Sequence, residues 1–97
     1  YAENGNIYNN SSTSTGTTYT TGDIIGVALD LDGSKVYWYK NGTLVNTGGT
    51  TIDAGETYFF FVADTSGSGG TTYQANFGNG FFGTTAVSSA INAQEYS

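Results

Sequence analysis

Eight carboxylates carry nearly all the acid–base capacity of this chain: Glu3, Asp23, Asp30, Asp32, Asp53, Glu56, Asp64 and Glu95. There is no histidine and no cysteine, and Lys35 and Lys40 are the only cations. Without histidine the chain lacks the most frequent general base and metal ligand. Ser and Thr nucleophiles are therefore left without their usual activator. Glycoside hydrolysis would need two carboxylates about 5–10 Å apart across a cleft. The acids are instead scattered singly, as turn and surface residues are. The run Asp30-Leu31-Asp32-Gly33-Ser34 weakly echoes a calcium loop, but a third ligand and a distal Glu are not at the required spacing. A turn in which Asp bonds its own backbone explains it better. No catalytic residue, no cofactor and no metal are expected, and the chain is read as a non-enzyme.

Aromatic side chains offer a different chemistry. Eight Tyr and one Trp stand among Asn, Ser and Gly, the mixture that adaptable binding surfaces favour. Sugars stack on such rings. Trp38 shares its strand face with Val36 and reads as core, whereas Tyr37 and Tyr39 point to the other face. That face is open to two readings, a second layer or a binding patch. Tyr19, Tyr37, Tyr39 and Asn41 are the candidate binding residues. Asn9, Asn10 and Asn41 sit in N-x-S/T sequons, which a chain this rich in Asn, Ser and Thr produces by chance.

Charge narrows the partners. The formal net charge is −6, which argues against a phosphate backbone and against an anionic membrane surface. No apolar run approaches the roughly 20 residues that span a bilayer. Neither nucleic acid nor membrane is expected as a partner.

The elements that must position these residues are strands. Gly, Ser, Thr and Asn make up 49 of 97 residues, and helix formers are scarce, so the composition is all-β with many turns. The most informative stretch is GDIIGVALDLDGSKVYWYKNG, residues 22–42. Ile25, Val27, Leu29 and Leu31 alternate with Gly26, Ala28 and Asp30, the period of a half-buried strand. Asp32-Gly33 and Asn41-Gly42 are hairpin signals, because their turn residues must accept positive φ. Strands are predicted over residues 6–8, 23–31, 35–40, 43–45, 57–63 and 72–77. Residues 18–21 are read as an entry to the second of these, after a long surface loop. Gly48-Gly49 breaks the chain. The run 57–63, with apolar residues on both faces, is expected to be a central strand covered on both sides. Residues 65–70 are expected to form a Gly/Ser loop, and Phe81-Phe82 is expected to plug one end of a core. One domain is expected over residues 1–97, with its core over 22–82, a polar lead-in over 1–21 and a polar tail over 84–97.

These pieces, in this order, resemble the later half of a SPRY domain. The matching residues are Gly22-Asp23, Gly26-Val27, the Asp30–Gly33 turn, Trp38, Lys40-Asn41-Gly42, the entry at residues 55–60 and Asn76-Phe77-Gly78. The resemblance covers roughly residues 4–82 and implies an antiparallel β-sandwich of the concanavalin-like class, partial in this chain. Some sandwiches of that class are glucanases with a clustered E-x-D-x-E strand, which is absent here. The family usually has a Pro in the strand that reads Tyr58-Phe59-Phe60-Phe61, and this chain has none. Its earlier strands have no counterpart either. Either the chain is a piece of a longer polypeptide, as its start at Tyr1 also suggests, or a neighbouring subunit completes the sandwich.

The Asn/Ser/Thr-rich approach YNNSSTSTGTTYTTGD further resembles SPRY domains of bacteriophage virion proteins. That resemblance implies a capsid-fibre, decoration or tail-fibre module located in the virion. Its partners would be other virion subunits or itself as a homo-oligomer, and a host-surface glycan or protein met by loops 11–21 and 65–70. The alternative is a cellular SPRY module gripping a short peptide, and a third reading is a glucanase-like enzyme fragment.

Overall fold

A computed structural model describes residues 1–64 and 71–77 together with the backbone of four residues in the last two strands. The expected 65–70 loop, the side chains of the expected Phe81-Phe82 plug and most of the 84–97 tail lie outside what is described. The chain divides into two compact units, Tyr1–Ala54 and Gly55–Ser97. The architecture is all-β and antiparallel, with no helix among the described residues.

The first unit holds six strands: β1 (Asn6–Asn9), β2 (Ser11–Ser14), β3 (Ile25–Asp30), β4 (Lys35–Lys40), β5 (Thr43–Leu44) and β6 (Thr50–Thr51). β4 is central. It pairs with β3 along its whole length, from Ile25 opposite Lys40 to Asp30 opposite Lys35. Its other edge takes β5 at Tyr39 and Lys40, then β6 at Lys35 and Val36. This register puts Ile25, Val27, Leu29, Val36 and Trp38 on one face. Gly26, Ala28, Tyr37 and Tyr39 lie on the other, as the alternation predicts.

The two hairpin turns differ. Asn41 and Gly42 both have positive φ, 49° and 83°, and close a two-residue loop between β4 and β5. Asp32-Gly33 does not make such a turn. The β3–β4 connection is a four-residue loop, residues 31–34, whose left-handed position is Ser34 at φ 53°. The Gly33 amide donates to Asp30 Oδ1 at 2.9 Å, so the Asp caps its own loop as expected. The strand consequently stops at Asp30, and Leu31 is 63% exposed.

The lead-in departs from expectation. Residues 11–14 are a strand, because Asn10 takes φ 62° and folds β2 back on β1, from Asn9 opposite Ser11 to Asn6 opposite Ser14. Asn tolerates this left-handed geometry better than most residues. Residues 18–21 form no strand. Ile7 of β1 is the only buried apolar side chain among the described residues, at 7% exposure. The side chains of β3 and β4 are mostly half-buried on both faces.

In the second unit, residues 57–63 and 72–77 carry no strand ladder, contrary to expectation. A strand with apolar groups on both faces needs ladder partners and a cover on each side, and the described residues of this unit supply neither. Phe59 is 80% exposed and Phe61 78%. Their rings lie 6.4 Å apart, and Phe60 and Phe77 are 6.3 Å apart. β7 (Phe81–Phe82) and β8 (Thr85–Ala86) form a short antiparallel pair, so the expected polar tail begins with a strand.

Candidate functional site

The four candidate binding residues fall in three places in the first unit. Tyr19 belongs to an aromatic cluster: its ring meets Tyr1 edge-on at 5.2 Å, and Tyr1 lies 6.0 Å from Trp38. The Tyr1 hydroxyl donates to the Thr17 carbonyl, and the Tyr19 amide donates to the Glu3 carbonyl at 3.1 Å. The lead-in therefore docks through aromatic rings on the Trp38 face. Tyr8, the other aromatic of this segment, stays 59% exposed, its hydroxyl accepting from the amides of Asn4 and Asn6.

Tyr37 and Tyr39 occupy the opposite face, half-buried, and each stands across from a small residue, Ala28 and Gly26. Tyr39 packs against the backbone of Gly26, where a Cβ would come within 3.4 Å of Tyr39 Cβ. Tyr37 packs against Gly49, where a Cβ would lie 2.9 Å from the phenol ring. The small residues let both rings lie down on the sheet.

Asn41 lies at the end of the β4–β5 hairpin. Its amide N–H donates to the Ile24 carbonyl at 2.8 Å, and Oδ1 accepts from the Ile24 amide at 2.9 Å. Its Nδ2 donates to Asp23 Oδ1 at 2.9 Å. The other Asp23 oxygen accepts from the Thr20 amide at 2.9 Å and lies 3.7 Å from Lys40 Nζ. Hydrogen bonding from Asn41, then from Thr20, holds the Asp23 carboxyl below its ordinary value. Beside this clasp a hollow of about 320 Å³ is lined by Thr17, Lys40, Asn41, Thr43, Leu44 and Val45. Of the four candidates, Asn41 lines this hollow. Its amide is already bonded on both sides.

Sequence reasoning missed Asn46. Between β5 and β6 the ladder on β4 is interrupted, and the Asn46 side chain fills the gap like a peptide unit. Oδ1 accepts from the Trp38 amide at 2.8 Å, while Nδ2 donates to the Val36 carbonyl at 3.0 Å and to Thr50 Oγ1 at 2.8 Å. The only available signal was a polar residue between the apolar pair Leu44-Val45 and the Gly48-Gly49 break.

The acids do not assemble. Among the described residues no three acidic side chains come together in a metal-binding group. Asp23 and Asp30 each serve a turn or hairpin end. The first unit thus places two Tyr rings on one face of the sheet, an aromatic cluster on the other, and a hollow of mixed polar and apolar lining at the hairpin end.

No curated protein and no solved structure matches the chain. A family model, the SPRY domain, does match, over residues 1–80. That span includes the lead-in with its aromatic cluster, the whole β3–β6 sheet and the Asn41 and Asn46 joints. The chain belongs to the SPRY domain family.

Proposed function

We propose that this chain is a non-enzymatic structural and adhesion module of a bacteriophage virion, a capsid-fibre, decoration or tail-fibre domain. Family membership supports the broader part of this reading, since SPRY domains are generally interaction modules rather than enzymes. The assembly part is supported by one observation. The strands of the β3–β6 layer keep their side chains only half-buried, with little buried apolar area among the described residues. Such a layer gains its missing burial from protein neighbours, as a subunit of a particle does. The virion assignment draws on the resemblance of the Asn/Ser/Thr-rich lead-in, and that is fold-level analogy. The exposed β2 edge (Ser11–Ser14) and the Tyr37–Tyr39 face are the surfaces for display and for a host glycan or protein.

Two measurements test this. Light scattering on the chain alone should detect oligomers, and a stable, well-folded monomer counts against the assembly reading. Antibodies to the β1–β2 hairpin should label intact phage particles, and failure to label them removes the virion assignment.

A further inference from the structure

Asn41-Gly42 has a property that the display reading does not use. Asn followed by Gly is the dipeptide in which the next backbone nitrogen reaches the side-chain carbonyl carbon most freely, because Gly has no Cβ to block the approach. Here that side chain is held on both sides by residues of a neighbouring segment, at 2.9 Å from Ile24 N and 2.9 Å from Asp23 Oδ1.

We infer that Asn41 is a deamidation site restrained by the Asp23–Asn41 clasp, and that its modification opens that clasp irreversibly. In the reaction the Gly42 nitrogen loses its proton to solvent and bonds to Asn41 Cγ. The Cγ–Nδ2 bond then breaks, and the nitrogen takes a proton from solvent and departs as ammonia. Water opens the resulting imide at either carbonyl, leaving aspartate or its isoaspartyl isomer. The balance is one amide and one water in, one carboxylic acid and one ammonia out. No oxidant or reductant is involved.

The restraint and the consequence come from the same bonds. Cyclisation requires the amide to leave Ile24 and Asp23 and turn toward Gly42, so the reaction waits on local opening. Afterwards a carboxylate oxygen replaces the Nδ2–H donor that faced the Asp23 carboxylate. Like charges then meet where a charge-assisted hydrogen bond stood. Lys40 lies 3.7 Å from the far Asp23 oxygen, and Lys35 is the only other cationic side chain in the chain. Because Asp23 also accepts from the Thr20 amide, the disturbance passes to the end of the lead-in. The isoaspartyl product further adds a main-chain carbon within the turn whose φ values are 49° and 83°.

Peptide mapping by mass spectrometry follows ammonia loss at Asn41 in the intact chain, folded and in urea. Fragmentation separates it from the other Asn-Gly steps, Asn4-Gly5 and Asn79-Gly80. Asn41 in the folded chain should react at least about tenfold more slowly than in urea, as expected for a reaction gated by opening. Equal rates overturn the restraint. Asn41→Asp should lower the urea midpoint, whereas exchanging the pair, Asp23→Asn with Asn41→Asp, restores one donor and one acceptor and should recover part of the loss. An unchanged midpoint in Asn41→Asp, or a pair exchange no better than Asn41→Asp alone, overturns the proposed consequence.

Discussion

Asn46 shows how much one side chain can organise in a small sheet. It makes the hydrogen bonds that a strand residue would make, at the point where β5 has ended and β6 has not begun. Asn46→Ala would strip the partner from the half-buried Trp38 amide and leave Val36 O and Thr50 Oγ1 short of a donor. An unsatisfied group of this kind costs roughly 1–3 kcal/mol, so a loss of about 2 kcal/mol is expected in urea denaturation. Asp23 provides a pH-dependent counterpart. Its carboxyl is held below the ordinary 3.8 in the folded chain, so the unfolded state binds the proton more readily. The contribution is therefore present above the unfolded value and is lost as pH falls through the folded one. Urea midpoints of the native chain should drop below about pH 4 by more than those of Asp23→Asn. Parallel pH profiles would show that the Asn41 and Thr20 bonds do not favour the charged form.

Two hairpins with different logics make up most of the first unit. The β3–β4–β5 meander is specified by local signals, namely alternation, Asp30 capping and the Asn41-Gly42 turn. The β1–β2 hairpin has almost no alternation; its strands read NIYN and SSTS, and β2 is exposed throughout. It is held by the ladder, by Asn9 Nδ2 donating to Thr51 O at 2.9 Å, and by burial of Ile7. Ile7→Ala removes the one buried apolar anchor. Large-to-small changes at such sites cost about 2–5 kcal/mol, and the lower end is expected at this thinly packed edge. Hydrogen exchange should then accelerate first in the amides of the β1–β2 ladder and later in β3 and β4. Uniform acceleration would mean that Ile7 holds the whole unit rather than its hairpin.

At the scale of the molecule the balance lies between ladder and burial. The chain has strands, turns and an aromatic cluster, yet its described side chains bury little apolar surface, and the aromatic run of the second unit stays open. Phe59→Ser combined with Phe61→Ser should therefore leave folding stability within about 0.5 kcal/mol, the usual range for surface positions, while reducing the fluorescence of an apolar dye bound to the chain. A large fall in the urea midpoint would mean instead that those rings are packed in solution.

The β3–β4 register and the Asn41-Gly42 turn were legible from residues alone, because period-2 alternation and positive φ are local properties. The same holds for the Asp30 cap and the all-β class. Three things were decided by the tertiary structure. One is the polar β2 strand, whose partner lies across a turn at Asn10 rather than in its own pattern. The second is the Asn46 bridge, which depends on where two short strands stop along a third. The last is the division of the candidate aromatics, with Tyr19 joining Tyr1 over Trp38 and Tyr37 and Tyr39 lying on the other side of the sheet. Each rests on a pairing between separate segments, and such pairings are fixed by the closing of loops and the registering of ladders, which spacing along the chain does not record.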